Sequence, residues 1–323
     1  MSHSPNIQHH HGQNTTKLKI LSLSYLTMYI YTITSSILTL ILIKVVSLFN
    51  LTGMDVHKNG HKKIPDGAGI AAIVSFLLHL SVLNKLDNRL VVTFYIAVLD
   101  DIMEMTWKEK IIFPILLACN DVQMEEMRVM YVLYRIVMTV FSCNCVNILS
   151  GINGIEIGQV IIILLSMMTL KNVDTSTVIL FLSSSVPLLY LNFYPSKVFI
   201  GNAYLFFTGY FIIFIEHKFV ILFYGLQILN FIISLPQILG FYYCPRHRMP
   251  GYDGTFLKPS YFRTNKMNMT LLNYLLVLTG PINEGVFCNL FFLLQVVYCT
   301  VIIFFIKWNN LEELVGRIIK EIV

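Results

Sequence analysis

Apolar residues run through this chain in long blocks, broken by short polar stretches that hold Pro, Gly, Asn or charge. Ten blocks stand out, at about 20–48, 69–84, 90–103, 111–121, 128–148, 157–171, 177–192, 198–217, 219–243 and 285–306. Several reach the roughly 20 apolar residues with which a helix crosses a bilayer. Backbone exposed to lipid must hydrogen-bond to itself, so helices are predicted; the period-2 alternation of a barrel is absent. The fourth block is the weakest. Ile111 to Cys119 precede Asn120 and Asp121, and that run covers barely half of a hydrocarbon core about 30 Å thick. Hydropathy alone would accept nine spans.

The predicted fold is therefore all-α, a polytopic membrane protein with about ten transmembrane helices. One membrane domain, residues 20–306, lies between a polar tail (1–19) expected to be disordered and a C-terminal tail (307–323). In that last stretch, apolar and charged residues from Leu311 to Val323 alternate at helical spacing and suit a helix lying on the membrane surface. His9, His10 and His11 could bind metal, but a disordered tail is the preferred reading. The apolar run from Ile20 is too long for a cleaved signal peptide and reads as an anchor.

Composition agrees with the pattern. Of 323 residues, 56% are hydrophobic and only 13% charged, against roughly 25% charged in soluble domains. The net charge of +5 suits loops near lipid headgroups or phosphates and is too dilute for a nucleic-acid partner. Six cysteines show no CxxC pair and no framework spacing, so neither a disulfide scaffold nor a zinc site is expected.

With ten spans, alternate loops share one side: 49–68, 104–110, 149–156, 193–197 and 244–284. They carry 11 Lys and Arg against 5 in the opposite loops, which predicts that the first set is cytosolic. The two tails add five to the other side and nearly erase the bias.

Polar residues at membrane depth are costly and ask for a reason. Here they gather on that first set of loops. Asp100-Asp101 closes the third block and suits a divalent cation or a proton relay; a solvated helix end is the plainer reading. Trp107 and Lys110 sit where interfacial Trp and snorkelling Lys are ordinary. The stretch Asn144 to Glu156, with Asn147, Asn153 and Gly154, can ligate Mg²⁺ or read a base edge, or can simply make turns. Phe199 can stack on a ring and Gly201 can admit a phosphate, although Tyr194-Pro195-Ser196 says only "turn". Arg246-His247-Arg248, held between Pro245 and Pro250, suits bidentate phosphate recognition or a plain basic loop.

Seven motifs in order carry a resemblance. They are Gly53-x-Asp55; Lys63-Ile64-Pro65-Asp66; Leu99-Asp100-Asp101 with Trp107 and Lys110; and Asn144-x-x-Asn147 through Asn153-Gly-x-Glu156. Tyr194-Pro195-Ser196 through Gly201, Cys244-Pro245-Arg246-His247-Arg248, and Asn268-Met269-Thr270-Leu271 with Gly280-Pro281-Ile282 complete them. From about Leu51 to Ile306 the chain resembles the polyprenyl-phosphate hexosamine-1-phosphate transferase superfamily, and the Pro-Arg-His-Arg element is similar to its eukaryotic branch. The resemblance implies ten helices in the endoplasmic reticulum membrane, a site facing the cytosol, and room for a homodimer. It implies UDP-GlcNAc and dolichyl phosphate as substrates in the lipid bilayer, Mg²⁺ as cofactor, and GlcNAc-1-phosphate as the transferred group.

Carried over residue by residue, it implies that Asn147 ligates Mg²⁺ with Asn202 beside it. Lys110 pairs with phosphate, and Asp100 and Asp101 orient the acceptor phosphate or the metal shell. Asn153 and Phe199 hold the uracil, and Arg246 and Arg248 neutralise the diphosphate. His247 faces the sugar, Asp66 serves the nucleotide site, and Gly53 and Asp55 lie near the diphosphate. Two positions depart from the family pattern. Asn202 stands where an aspartate is expected, keeping one ligating oxygen without the charge, and Met54 replaces a polar residue. They leave open a second reading, a silent membrane scaffold that binds the nucleotide sugar. A transporter would need broken helices near the bilayer midplane, whereas these motifs sit at span ends.

Overall fold

The computed structural model describes residues 8–49, 51–55, 63–103, 105–121, 129–242, 249–261 and 267–315, with side chains from Tyr25 onward except at Asp121. Its helices are α1 (Gln8–Ser47), α2 (Gly69–Val82), α3 (Asn88–Met103), α4 (Glu109–Asp121), α5 (Val129–Ile148) and α6 (Ile155–Met167). Then come α7 (Thr175–Asn192), α8 (Gly201–Ile215), the single turn α9 (Val220–Phe223), α10 (Gly225–Ile238), α11 (Leu271–Thr279) and α12 (Glu284–Trp308). Two antiparallel ribbons, β1 (Thr52–Met54) with β2 (Lys63–Pro65) and β3 (Gly251–Tyr252) with β4 (Leu257–Lys258), ornament the loops.

Helix stands at each of the ten apolar blocks, the ninth being split at Tyr224 into α9 and α10. Among the described residues, Tyr25–Ser47 of α1 and the whole of α5, α7 and α12 are long and apolar enough to cross a membrane. α2, α6, α8 and α10 are apolar but shorter. The chain is an all-α polytopic membrane protein. α11 and the two ribbons, unforeseen in the sequence, lie in the polar connections.

α8 is apolar on every side, and a helix of that kind belongs inside. Every residue from Ala203 to Ile213 is buried. It packs between α3 and α5 and against α2. Phe181 of α7 meets Phe76 of α2 and Phe211 of α8, with ring centroids 5.1 and 4.5 Å apart. A second apolar cluster joins the starts of α6 and α11 to α12.

The loops sort onto two faces as their alternation predicts. On one, Lys85 binds Asp174 at 2.9 Å, Lys171 reaches Glu313 at 3.5 Å, and the Tyr134 hydroxyl donates to the His217 carbonyl. On the other, Phe199 N–H donates to Pro65 O, Asn202 N–H to Asp101, and Asn153 N–H to Glu284. The described residues of the sequence-predicted site all lie on this second face.

Candidate active site

The site is built from helix ends. The last turn of α3 carries Asp100-Asp101, the last turn of α5 carries Asn147, and α8 starts at Gly201-Asn202. The connections 63–68, 149–154 and 193–200 fill the space between them. Asn192, the last residue of α7, ties two of these connections together: its Oδ1 accepts the Gly154 N–H at 3.0 Å and its Nδ2 donates to Val198 O at 2.8 Å.

Two adjoining cavities open here, of about 240 and 700 Å³. Asp66, Glu156, Phe199, Asn202 and Met249 line both, so they form one cleft. The smaller end holds Asp55 and Asn153; the larger holds Gly53, Trp107, Lys110 and Asn147.

At the smaller end, Asn153 is fixed twice. Its Nδ2 donates to Asp55 Oδ2 at 3.2 Å and its backbone N–H to Glu284 Oε1 at 2.8 Å. Asp55 and Glu284 are 3% and 1% exposed. Two carboxylates held this far from water gain from such donors what hydration would otherwise supply. Glu284 escaped the sequence reading, although a carboxylate at the head of an apolar block is itself a signal. Glu156 and Asn192 lay in quoted stretches without a role; Glu156 Oε1 accepts the Gly151 N–H at 3.1 Å.

At the larger end, Lys110 Nζ pairs with Asp100 Oδ2 at 2.9 Å, and Asn144 Nδ2 donates to the Lys110 carbonyl at 3.0 Å. Asp100 and Asp101 stand behind the cleft rather than on its wall. Asp101 Oδ1 accepts the Asn202 N–H at 2.6 Å, so its carboxylate caps the positive end of α8. Gly201 makes this approach feasible. Its φ is +75°, and a Cβ there would lie 2.6 Å from Asp101 Oδ2 and 3.0 Å from Gly67 Cα.

Asp66 joins the two ends. Its Oδ1 accepts the Gly67 N–H at 2.7 Å. Burial raises its pKa above the ordinary carboxylate value, while N–H groups of Gly67 and Gly201 pull it down. Arg246, His247 and Arg248 lie outside the described residues, between Tyr242 and Met249.

Asn147 and Asn202 bring their amides together, Nδ2 of the first 3.4 Å from Oδ1 of the second. Among the described residues, no three His, Cys, Asp or Glu side chains converge as a metal cage. Magnesium seldom asks for one, because it keeps waters and takes oxygens from substrate phosphates. Asp101 holds the backbone N–H of Asn202 behind this amide pair, and its Oδ2 is buried with no hydrogen-bond partner among the described residues. That oxygen-rich set fits a hard cation.

Fold and site define a polytopic membrane protein with a polar cleft at one membrane face, furnished with amides, carboxylates and a paired lysine. Residues 88–220 match the sequence model of glycosyl transferase family 4, and that stretch holds Asp100, Asp101, Lys110, Asn147, Asn153, Phe199 and Asn202. The chain is 28% identical to a UDP-N-acetylglucosamine–dolichyl-phosphate N-acetylglucosaminephosphotransferase of Dictyostelium discoideum, across 82% of this chain and 83% of that protein. Proteins of the same name from Leishmania amazonensis (29% identical; 52% of this chain, 43% of that one) and Saccharomyces cerevisiae (27%; 63% of each) are also similar. The matches span less than two thirds of the latter two proteins.

Proposed function

We propose that this protein transfers GlcNAc-1-phosphate from UDP-GlcNAc to dolichyl phosphate, giving GlcNAc-diphospho-dolichol and UMP. The observation that carries the proposal is the single cleft. An end built around Asn153 and Asp55 runs past Phe199 and Asn202 into an end built around Lys110. A nucleotide at the first end would place its diphosphate beside the second, and Trp107, exposed at the larger end, offers an apolar surface to a lipid acceptor. The relatives' names supply the substrates.

The lipid phosphate oxygen attacks the phosphorus that carries the sugar; the bond to the UMP oxygen breaks and UMP leaves. A phosphate monoester has its second pKa near 6, so the nucleophile is already ionised at neutral pH without a dedicated base. The work left to the protein is positioning and charge neutralisation. Lys110, held by Asp100, offers its ammonium to phosphate. Asp101 anchors the α8 terminus that presents Asn202. Asn153 and Phe199 hold the base, and Arg246, Arg248 and His247 serve the diphosphate and sugar. Asn147 and Asn202 would hold Mg²⁺, whose chemistry there would be neutralisation of charge on the diphosphate.

The excess of Lys and Arg on the site-bearing loops supports a cytosol-facing cleft, and the family resemblance supports the endoplasmic reticulum as its membrane. A silent scaffold is not favoured, because it would have no use for a lysine that lines the larger cavity and is held there by a buried aspartate. The test is purified protein with UDP-GlcNAc, dolichyl phosphate and Mg²⁺. UMP and a lipid-linked sugar diphosphate should form together. No UMP above background would overturn the reading.

A further inference from the structure

α10 carries Gln227, Asn230, Ser234 and Gln237 on one face, and each is at most 2% exposed. Four amides and hydroxyls within an apolar helix need an explanation, and none of them lines either cavity. Their partners supply it. Ser234 Oγ donates to Met269 O and Gln237 Oε1 accepts the Met269 N–H, both at 2.8 Å. Gln227 donates to Gln159 Oε1, and Gln159 donates to Leu149 O at 2.9 Å. Asn230, fully buried, does two things at once: its Nδ2 donates to Ile148 O at 3.1 Å and its Oδ1 accepts the Leu271 N–H at 2.8 Å.

Those two groups are helix ends. The last carbonyls of α5 and the first N–H groups of α11 have no partner within their own helices. The α5 end carries partial negative charge and the α11 start partial positive charge. A neutral amide can donate to the first and accept from the second; a carboxylate or an ammonium can serve only one.

We infer that Asn230 is a positioning residue. It fixes where α5 ends, and hence where Asn147 sits, relative to the loop that enters α11. This role rests on the transfer reading above. The other end of the cleft is held independently, because Asn153 and Gly154 are secured by Glu284, Asp55 and Asn192, none of which is on α10. Loss of Asn230 should therefore separate turnover from nucleotide binding.

The test compares full-length wild type with Asn230→Asp, which keeps the acceptor for Leu271 and sets an oxygen against Ile148 O. A misplacement near 1 Å costs about 100-fold in rate, so kcat should fall by about tenfold to 100-fold. The Kd for UMP, measured by calorimetry, should stay within about twofold. If Asn230→Asp does not fold, Gln159→Met frees the adjacent Leu149 carbonyl in a near-isosteric side chain and should show the same split. An active wild type with an unaffected variant overturns the inference alone. So does a parallel loss of turnover, UMP binding and thermal stability, which would mark a merely structural role. A wild type that binds UMP but never turns over overturns the transfer reading and this inference with it.

Discussion

Lys110 Nζ stands 2.9 Å from Asp100 Oδ2, and the side chains are 17% and 3% exposed. The lysine can reach water at the cleft; the aspartate cannot. Removing one member of a buried pair strands the other, at a cost of about 3–5 kcal/mol. Lys110→Met strands the deeper charge and should lower the thermal midpoint more than Asp100→Asn does. It also removes the ammonium that faces phosphate, and loss of one preorganised donor costs about 10²–10³ in kcat. Thermal unfolding and UMP release on the two variants check both statements. Equal destabilisation would mean that the pair is better solvated than its burial indicates.

Asn202→Asp should strengthen metal binding. The new carboxylate would face the Asn147 amide, with Asp101 behind it and Asp66 along the same wall. Without a cation, three neighbouring carboxylates repel; with one, the added charge is worth several kcal/mol gross at an effective dielectric near 20. The thermal midpoint should fall in EDTA and rise more steeply with added Mg²⁺ than in wild type. The Mg²⁺ concentration for half-maximal UMP release should drop by about tenfold or more. An unchanged Mg²⁺ dependence would remove Asn202 from the cation site.

The sequence shows the helical blocks because a bilayer leaves few alternatives, and α8, apolar on all sides, was legible as a span. It shows the site-bearing face because costly polar residues collect at alternate span ends. What it hides is direction and distance in three dimensions. Asp100 and Asp101 are neighbours in sequence, but one residue of helix turns the side chain by about 100°. The first therefore meets Lys110 and the second meets the α8 terminus, where the sequence suggested a joint ligand pair. Asn230 and Glu284 are polar residues whose partners lie 82 and 131 residues away. Nothing local marks such pairings. α11 was missed for a related reason: it is nine residues long, and its first N–H groups rest on Thr270 and Asn230 rather than on an extended apolar pattern.

Gly209 holds α5 and α8 together. A Cβ there would lie 2.1 Å from Ser142 O and 2.6 Å from Cys143 Cα, and backbone cannot swing aside as a side chain can. Ser142 Oγ also donates to Gly209 O at 2.6 Å. The same two helices carry Asn147 and Asn202, so their separation sets the amide pair. Overpacking typically costs about 1–3 kcal/mol, and more is expected where backbone is struck. Gly209→Ala should lower the thermal midpoint and sharply reduce UMP release. Wild-type behaviour in Gly209→Ala would show that the helices can part without consequence for the site.

Asp66 gives a pH signature whose sign can be worked out. Burial raises its folded-state pKa above the unfolded value of about 4. Its contribution to stability is therefore fully present below about pH 4 and is lost as pH rises through the raised value. At neutral pH the carboxylate is a net burden on the fold. Asp66→Asn removes the charge and keeps an acceptor for the Gly67 N–H. It should melt above wild type at pH 7.5, and the gap should close as pH falls towards 4. Thermal unfolding of both proteins across that range checks it; a gap independent of pH would show that burial does not perturb Asp66. UMP release should fall in the same variant by about tenfold or more. A substitution that stabilises the protein while lowering turnover would show that the charge on Asp66 is retained for the cleft rather than for the fold.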